Sequence, residues 1–358
     1  MNYFSVERAR QAADEIDLGS ALSFYAALLD QMDLALEHLD KGGVHDARFA
    51  LMLTDNAVEL VIHRLATEKY AHLKSWHRLE EAYPHKLELA EAVGQSFDAK
   101  LKFARIEKMV TEEQARTVAI MHEFRNELYH VGLQHEAILP AIANFYFSVG
   151  CDILKAFPGR GLYYGTKMVI PERAKKYFNS SRRNPAELGD FEKACATLKD
   201  RCQFDRGKTI GALADHMDFI VTENNVYLDV ISTGVYPRGK GITRDEATIN
   251  CQTWRLAFSP VGRKFARENG FSGRSIHDLV DWLAANYRLT IKKDPIPGWK
   301  RRVQRLRSKA NTHLAVATYV DFLRHTLQFR EDLAESCAAA EAEIDRQIDE
   351  IRARRRKD

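Results

Sequence analysis

The sequence predicts a mainly α-helical protein, with a helical bundle in its N-terminal half and a mostly helical domain after it. The first observation is residues 45–74, a long apolar stretch at helical spacing without glycine or proline. The second is a set of N-cap signals at Ser20, Thr111 and Ser275, each just before an apolar periodic segment. The stretch NVYLDVIS instead has the composition of a strand, so minor strands are expected in the second domain.

The predicted helices follow one another closely along the chain. In the first half they cover 6–17, 20–40, 45–74, 111–130 and 136–157, with one or two more over 85–109. In the second half they cover 171–178, 186–202, 209–225, 275–287 and the chain from Trp299 onward. Pro158-Gly159-Arg160-Gly161 has the composition of a linker. The predicted domains are 1–157, 162–330, and an amphipathic helix with a basic tail over 331–358.

Composition favours a soluble protein of the cytoplasm. The chain has 358 residues, of which 45% are hydrophobic and 29% are charged. No apolar run reaches the roughly 18 residues that span a bilayer, and the N-terminus lacks the apolar segment of a signal peptide. The five cysteines form no C-x-x-C pair, which is typical of reduced thiols. We therefore expect a cytoplasmic location and no membrane partner.

Charge is distributed unevenly between the two halves of the chain. Residues 1–150 contain 15 Lys and Arg against 23 Asp and Glu, a net charge of −8. Residues 151–358 contain the remaining 38 and 27, a net charge of +11. This asymmetry favours a polyanion, such as RNA, as a partner of the second half, with a merely uneven scatter of charge as the alternative.

One helical segment carries the residues that are the best candidates for catalysis. The stretch EFRNELYHVG contains Arg125, Asn126 and His130, followed by Gly132, which ends the helix. An earlier long helix contains the stretch DNAVEL, residues 55–60. An arginine five residues before a histidine is weak evidence alone, and the flanking residues give the motif its specificity.

The two stretches together resemble the HEPN domain (higher eukaryotes and prokaryotes nucleotide-binding). The resemblance covers about residues 20–155 and implies an all-α bundle that acts as a homodimer. Many HEPN domains are metal-independent endoribonucleases of toxin–antitoxin and anti-phage defence systems, and some are non-catalytic scaffolds. The HEPN signature implies that Arg125, Asn126 and His130 are the catalytic residues, that no cofactor or metal is needed, and that an antitoxin or regulatory partner restrains the enzyme.

The residue chemistry independently suits RNA cleavage through the 2′-hydroxyl. A histidine can accept or donate a proton near neutral pH, and an arginine presents a planar fork of donors to phosphate oxygens. Around a helix, Arg125 and His130 lie roughly 140° apart, so two copies across a two-fold axis would gather both types around one phosphate. The alternative is a helix end at which His130 caps terminal carbonyls and Arg125 pairs with a glutamate.

Other polar residues are candidates for supporting roles. Asn56, Glu59 and His63 fall on one narrow stripe of an otherwise apolar helix. Asn56 and Glu59 are predicted to orient Arg125 or His130. For His63, a position on a solvated stripe is about as good an interpretation as a supporting role. His122 lies eight residues before His130, where it either faces the same groove or is simply packed.

A basic segment in the second half is predicted to bind RNA, such as tRNA or mRNA. The cationic residues in this segment are Lys300, Arg301, Arg302, Arg305 and Arg307. Trp299 lies beside them and is expected to stack on a base, with a solvated basic helix face as the alternative. A non-enzymatic RNA-binding regulator led by this half is therefore a competing function. The chain contains no Walker motif, G-x-S-x-G elbow or H-E-x-x-H zinc motif.

Overall fold

All of the regular secondary structure in the described chain is helical. The computed structural model describes residues 20–130, 136–158, 170–178, 188–234 and 241–355. Within these ranges there are fifteen α-helices and no β-strand, which confirms the predicted mainly α class. No helix of these ranges is long and apolar enough to cross a membrane.

The helices are labelled α1 to α15 in chain order. In the first half they are α1 (Ser20–Lys41), α2 (Val44–Ser75), α3 (His77–Ala82), α4 (Lys86–Ala92), α5 (Phe97–Ile106), α6 (Glu112–His130) and α7 (Leu139–Lys155). In the second half they are α8 (Glu172–Lys175), α9 (Leu188–Arg201), α10 (Arg206–Thr233), α11 (Arg244–Phe258), α12 (Pro260–Glu268), α13 (Ile276–Asn286), α14 (Ile296–Arg307) and α15 (Thr312–Arg355).

Most of the predicted helices agree with the structure. The segment 85–109 divides into α4 and α5, and three helices, α3, α11 and α12, lie in segments for which no helix was predicted. The predicted helix over 6–17 and the glycines of the predicted linker lie outside the described residues. The chain predicted to be helical from Trp299 onward forms α14 and α15, which begin at Ile296 and Thr312, and the predicted boundary at residue 331 lies inside α15.

The strand predicted for NVYLDVIS is wrong, because residues 225–232 belong to the 28-residue helix α10. The buried positions of this helix include Val221, Asn224, Leu228 and Ile231, which recur at steps of three and four. A strand would place Val226 on the same face as Leu228, yet Val226 is exposed. Packing of the helical apolar stripe therefore overrides the strand propensity of this segment.

The chain divides into two compact units. The first comprises Met1–Ala212 and Ala310–Ala317, and the second comprises Leu213–Lys309 and Thr318–Asp358. Helices α10 and α15 therefore contribute residues to both units. The first unit extends beyond the predicted boundary at residue 157, since α8 packs against α1 and α9 packs against α7.

The core of the first unit lies where α1, α2 and α7 pack together. Gly150 of α7 permits the closest approach, because a Cβ atom at this position would lie 2.8 Å from Cγ2 of Thr54. Helix α8 is held on α1 by polar contacts, in which Lys176 and Tyr177 both donate to the buried carboxylate of Asp33, at 2.8 and 2.6 Å. The approach of Gly150 to Thr54 brings α7 close to α2 beside Asp55, where the candidate site lies.

The second unit has its own apolar cluster, formed mainly by α11, α12 and α13. Its buried members are Leu256, Ala257, Ala266, Leu279, Val280, Leu283 and Leu289. Ser275 caps α13 as predicted, since its hydroxyl accepts from the N–H of Asp278 while the Asp278 carboxylate accepts from the N–H of Ser275.

Candidate functional site

The helix that carries the predicted catalytic residues has a well-defined start. The hydroxyl of Thr111 accepts from the N–H of Gln114 at 3.2 Å, and the Gln114 side chain accepts from the N–H of Thr111 at 2.9 Å. This reciprocal cap fixes where α6 begins. The residues that face the core on this helix include Val118, Met121, Phe124 and Leu128. Their packing sets the rotation of α6 and therefore the direction of its polar residues.

A buried carboxylate on α2 lies at the centre of the site. Asp55 is fully buried and accepts hydrogen bonds from side chains on two other helices. The hydroxyl of Tyr146 on α7 donates to Oδ1 at 2.8 Å, and Nδ1 of His122 on α6 lies 2.9 Å from Oδ2. Because a buried carboxylate is costly without partners, this set of contacts explains how Asp55 is accommodated in the core.

Arg125 pairs with the same carboxylate. Its Nε atom lies 3.7 Å from Oδ2 of Asp55, and its Nη1 atom donates to Oδ1 of Asn126 at 3.0 Å. The side chain remains 31% exposed, whereas that of Asp55 is not exposed at all. The guanidinium is therefore held on its inner side by α2 while part of it faces outward.

His122 is fixed from two directions. Asp55 holds Nδ1 of the imidazole, and the ring of Phe97 on α5 stacks on it with centroids 3.7 Å apart and planes inclined by 6°. His122 is therefore packed between α2 and α5, the second of its two sequence interpretations, and it shares the Asp55 carboxylate with Arg125. The contact with Asp55 also defines the imidazole orientation, as a carboxylate does in many acid–base sites.

The hydroxyl of Tyr146 stays protonated in this environment. Burial raises the pKa of Tyr146 well above its ordinary value, and the negative charge of Asp55 raises it further. The charges of Glu59 and Arg125 also act on this group, in opposite directions. Tyr146 is therefore a permanent hydrogen-bond donor that holds Asp55 from the α7 side.

The predicted supporting residues Asn56 and Glu59 have other partners. Asn56 donates to Oε1 of Gln31 on α1 at 3.1 Å. Glu59 accepts from Lys100 on α5 at 3.0 Å. The residue of α2 that contacts Arg125 is Asp55, which lies one turn before Glu59 on the same side of the helix.

The same stripe of α2 continues to His63. Burial lowers the pKa of His63, and the nearby positive charge of Lys100 lowers it further. Its Nδ1 atom is buried without a hydrogen-bond partner among the described residues. His63 is therefore only partly exposed to solvent, and its burial favours the neutral imidazole.

The end of α6 is held by a residue that the sequence interpretation did not include. Arg48 of α2 donates from Nη2 to the carbonyl of Leu128 at 2.7 Å. A cation at this position favours the partial negative charge of the helix C-terminus. His130 is the last residue of α6, and its side chain lies outside the described part of the structure.

The predicted RNA-binding residues all belong to α14, but their environments differ. Lys300, Arg301 and Arg305 are exposed. Arg302 is half-buried with its guanidinium 4.9 Å from the ring centroid of Phe322, and Arg307 pairs with Asp215 at 2.7 Å. Lys300, Arg301, Arg305 and Arg307 are therefore exposed, Arg307 within an ion pair, whereas Arg302 packs against α15.

The prediction that Trp299 stacks on a base is wrong. Trp299 is buried and meets the rings of Phe322 and Phe329 edge-on, with centroids 5.7 and 6.1 Å apart. It lies on the apolar stripe of α14 with Ile296 and Val303. Packing against α15 therefore removes this side chain from the surface that carries Lys300 and Arg301.

Comparisons with protein-family models, with curated proteins and with solved structures gave no match for this chain. The resemblance to HEPN domains therefore rests on the motif residues of α2 and α6. Three residues of the site were not identified from the sequence, namely Asp55, Tyr146 and Arg48. Of these three residues, only Asp55 could have been identified from the sequence, because it is an acidic residue on the apolar stripe of α2 with Val58 and Ile62.

Proposed function

We propose that this chain is a metal-independent endoribonuclease of the HEPN type. The proposal is carried by one observation, the pairing of partly exposed Arg125 with fully buried Asp55 on neighbouring helices. In such an arrangement the buried carboxylate fixes the guanidinium on its inner side, and the exposed side of the guanidinium is oriented toward a ligand. Arg125 lies within the last two turns of α6, the same turns that end in His130.

The proposed reaction is an attack of the ribose 2′-oxygen on the adjacent phosphorus atom. The bond from the 2′-oxygen to phosphorus forms and the bond from phosphorus to the 5′-oxygen breaks, which leaves a 2′,3′-cyclic phosphate and a 5′-hydroxyl. One proton leaves the 2′-hydroxyl for a base, and an acid gives one proton to the departing 5′-oxygen. His130 performs one of these transfers, a contribution of about 10²–10⁴-fold to the rate.

Arg125 stabilises the negative charge that develops on the phosphate. Its contacts with Asp55 and Asn126 engage Nε and Nη1, and its side chain stays 31% exposed. A guanidinium that is already oriented loses little rotational freedom when it binds a phosphate oxygen. The proposed role of Asn126 is to hold this orientation from the α6 side, in agreement with its hydrogen bond to Nη1.

A second copy of the chain completes the proposed site. The reaction needs both a base and an acid, whereas the motif supplies one histidine in each copy. Two α6 helices related by a two-fold axis would contribute two Arg125 and two His130 side chains to one phosphate. This arrangement is a homodimer through the first unit.

The proposed biological role is growth arrest or anti-phage defence in bacteria, with an antitoxin or another regulatory partner that restrains cleavage. The substrate is RNA, such as tRNA or mRNA. Helix α14 supplies exposed cations suited to an RNA backbone, at Lys300, Arg301 and Arg305. These contacts would add affinity without sequence preference.

The test is an RNA cleavage assay in the presence of EDTA, with full-length protein. We expect cleavage by the wild-type chain that survives chelation and is abolished in both Arg125→Ala and His130→Ala. Arg116→Ala is the matched control, because Arg116 is an exposed arginine on the same helix. Intact RNA after incubation with wild-type protein would contradict the enzyme and favour a non-catalytic HEPN scaffold.

A second candidate function is RNA binding without catalysis, which the exposed basic face of α14 favours. This function requires RNA affinity that depends on Lys300, Arg301 and Arg305 but is indifferent to Arg125. The cleavage assay on the wild-type chain and on the Arg125→Ala and His130→Ala variants separates it from the enzyme. Both variants keep their affinity under either function, and only the enzyme shows cleavage that the two substitutions abolish.

A further inference from the structure

The imidazole of His122 is held in one tautomer by the buried carboxylate of α2. Its Nδ1 atom lies 2.9 Å from Oδ2 of Asp55, whose side chain is not exposed at all. Because an ionised carboxylate only accepts hydrogen bonds, Nδ1 carries the proton in this contact and donates it. The lone pair of a neutral imidazole then lies on Nε2, so Asp55 fixes the tautomer in which Nε2 can accept a proton.

The orientation of this ring is fixed as well. The ring of Phe97, the first residue of α5, stacks on the imidazole with centroids 3.7 Å apart and planes inclined by 6°. This stacking sets the plane of the imidazole, and the contact with Asp55 sets its rotation within that plane. A reactive group that is oriented before the substrate binds loses little freedom in the reaction.

The Nε2 atom of His122 is available to a ligand. The side chain is 17% exposed, and within the described part of the chain no group forms a hydrogen bond with Nε2. Nε2 does not belong to the polar atoms that are buried without a partner, as Nδ1 of His63 does. Nε2 therefore contributes to the exposed part of the imidazole.

Arg125 lies beside His122, because the two side chains share one carboxylate oxygen. Nδ1 of His122 lies 2.9 Å from Oδ2 of Asp55, and Nε of Arg125 lies 3.7 Å from the same atom. The two nitrogen atoms are therefore no more than about 6.6 Å apart, which is the sum of these distances. A phosphodiester bound to Arg125 would place the adjoining ribose within reach of the imidazole.

We propose that His122 is the general base of the cleavage reaction, an inference that rests on the proposed ribonuclease function. Nε2 takes the proton of the 2′-hydroxyl while the 2′-oxygen bonds to phosphorus. The bond from phosphorus to the 5′-oxygen breaks, and His130 gives that oxygen a proton. The buried charge of Asp55 stabilises the imidazolium that forms on His122. Exchange with water then removes the proton from His122 and returns one to His130.

This role gives the base to a residue outside the motif of Arg125 and His130. In the proposed homodimer, both His130 side chains are then available for the acid step. Along α6, Arg125 lies about 4.5 Å beyond His122 and about 7.5 Å before His130. The cation is therefore placed between base and acid, as the phosphorus of the substrate lies between the 2′-oxygen and the 5′-oxygen.

The test compares single-turnover cleavage, in EDTA, of an RNA and of the same RNA with sulfur in place of the departing 5′-oxygen. A thiolate leaves without a proton, so the sulfur substrate needs the base but not the acid. The variant is His122→Asn, whose amide can still donate to Asp55 but cannot accept a proton. We expect it to lose about 10²–10⁴-fold in rate on both substrates. His130→Ala should regain its rate on the sulfur substrate.

His38→Asn is the matched control. His38 on α1 is also partly buried, with Nδ1 2.7 Å from the carboxylate of Asp46, and it lies outside the site. This variant should cleave both substrates at the wild-type rate. His122→Gln, which cannot accept a proton either, is the second test variant, and urea denaturation measures whether each variant is folded.

Cleavage by His122→Asn at the wild-type rate would overturn the assignment. Recovery of this variant on the sulfur substrate would do so too, because that result identifies an acid. If both variants of His122 lost activity together with folded structure, His122 would only hold α6 against α2, and the proposal would fail. Intact RNA after incubation with the wild-type chain would instead contradict the proposed function itself, and this inference with it.

Discussion

The buried carboxylate of Asp55 lies 3.7 Å from Nε of Arg125, although the two residues belong to different helices. The same Oδ2 atom lies 2.9 Å from Nδ1 of His122. One carboxylate on α2 therefore holds two polar side chains of α6 at once. This links the packing of α2 against α6 to the direction in which the proposed catalytic arginine points.

Replacement of Asp55 by Asn should reduce RNA cleavage without unfolding the protein. Asn keeps the size and an acceptor for Tyr146 but removes the charge that holds Arg125. A misplacement of about 1 Å in a catalytic group can cost roughly 10²-fold in rate, and a decrease of that order is expected in single-turnover cleavage. Asp40→Asn, an exposed aspartate on α1, is the control. An unchanged rate in Asp55→Asn would show that Arg125 does not depend on this contact.

Replacement of Tyr146 by Phe should destabilise the first unit. The hydroxyl of Tyr146 donates to the charged carboxylate of Asp55 at 2.8 Å, and both groups are buried. Removal of a hydrogen bond to a charged group costs about 1.5–3 kcal/mol in the free energy of unfolding. Urea denaturation measures this difference, with Tyr70→Phe on α2 as the control. A free energy equal to that of wild type would mean that solvent or another donor replaces the hydroxyl.

His63 should make stability fall as pH decreases below neutrality. Burial, followed by the charge of Lys100, lowers the pKa of His63 in the folded state. The unfolded chain then binds the proton more readily, so the free energy of unfolding falls as pH drops below about 6.5. His63→Gln should reduce this slope, whereas His45→Gln, an exposed histidine on the same helix, should not. Urea denaturation at several pH values gives the two slopes, and equal slopes would contradict the assignment. Burial also lowers the pKa of His313, so part of the slope should persist.

The exposed cations of α14 should control RNA affinity rather than cleavage chemistry. The variant Lys300→Glu, Arg301→Glu, Arg305→Glu should bind RNA more weakly across different sequences. The slope of its binding constant against salt concentration should fall by roughly one unit for each phosphate that the protein no longer neutralises. Lys41→Glu with Lys74→Glu and Lys102→Glu, three exposed lysines of the first unit, is the control for net charge. An unchanged salt dependence would place the RNA on another surface.

The sequence predicted the helices of the fold best where a cap and an apolar stripe coincide. Thr111 and Ser275 are such positions, and both form the expected reciprocal caps. The prediction failed at residues 225–232, because β-branched and aromatic side chains favour strands locally while burial at steps of three and four requires a helix. Packing against neighbouring helices determines which structure this segment adopts, and the positions of those helices cannot be predicted from the segment itself.

The candidate site was predicted only in part for a similar reason. The motif identified Arg125, but a helix turns about 100° per residue, so Asp55 and Asn56 both border the face of α2 that meets α6. Asn56 contacts Gln31 on α1, so packing with this third helix gives Asn56 a different partner from that of Asp55. The burial of Trp299 could have been predicted from the sequence, since Ile296, Trp299 and Val303 form one apolar stripe.

The most direct test of the account is the single-turnover cleavage rate of one short RNA with a mapped cut site, measured in EDTA. The account predicts a 2′,3′-cyclic phosphate at the cut, and a decrease of about 10²-fold or more in both Arg125→Ala and His130→Ala. A 3′-hydroxyl product, or cleavage by either variant at the wild-type rate, would contradict it.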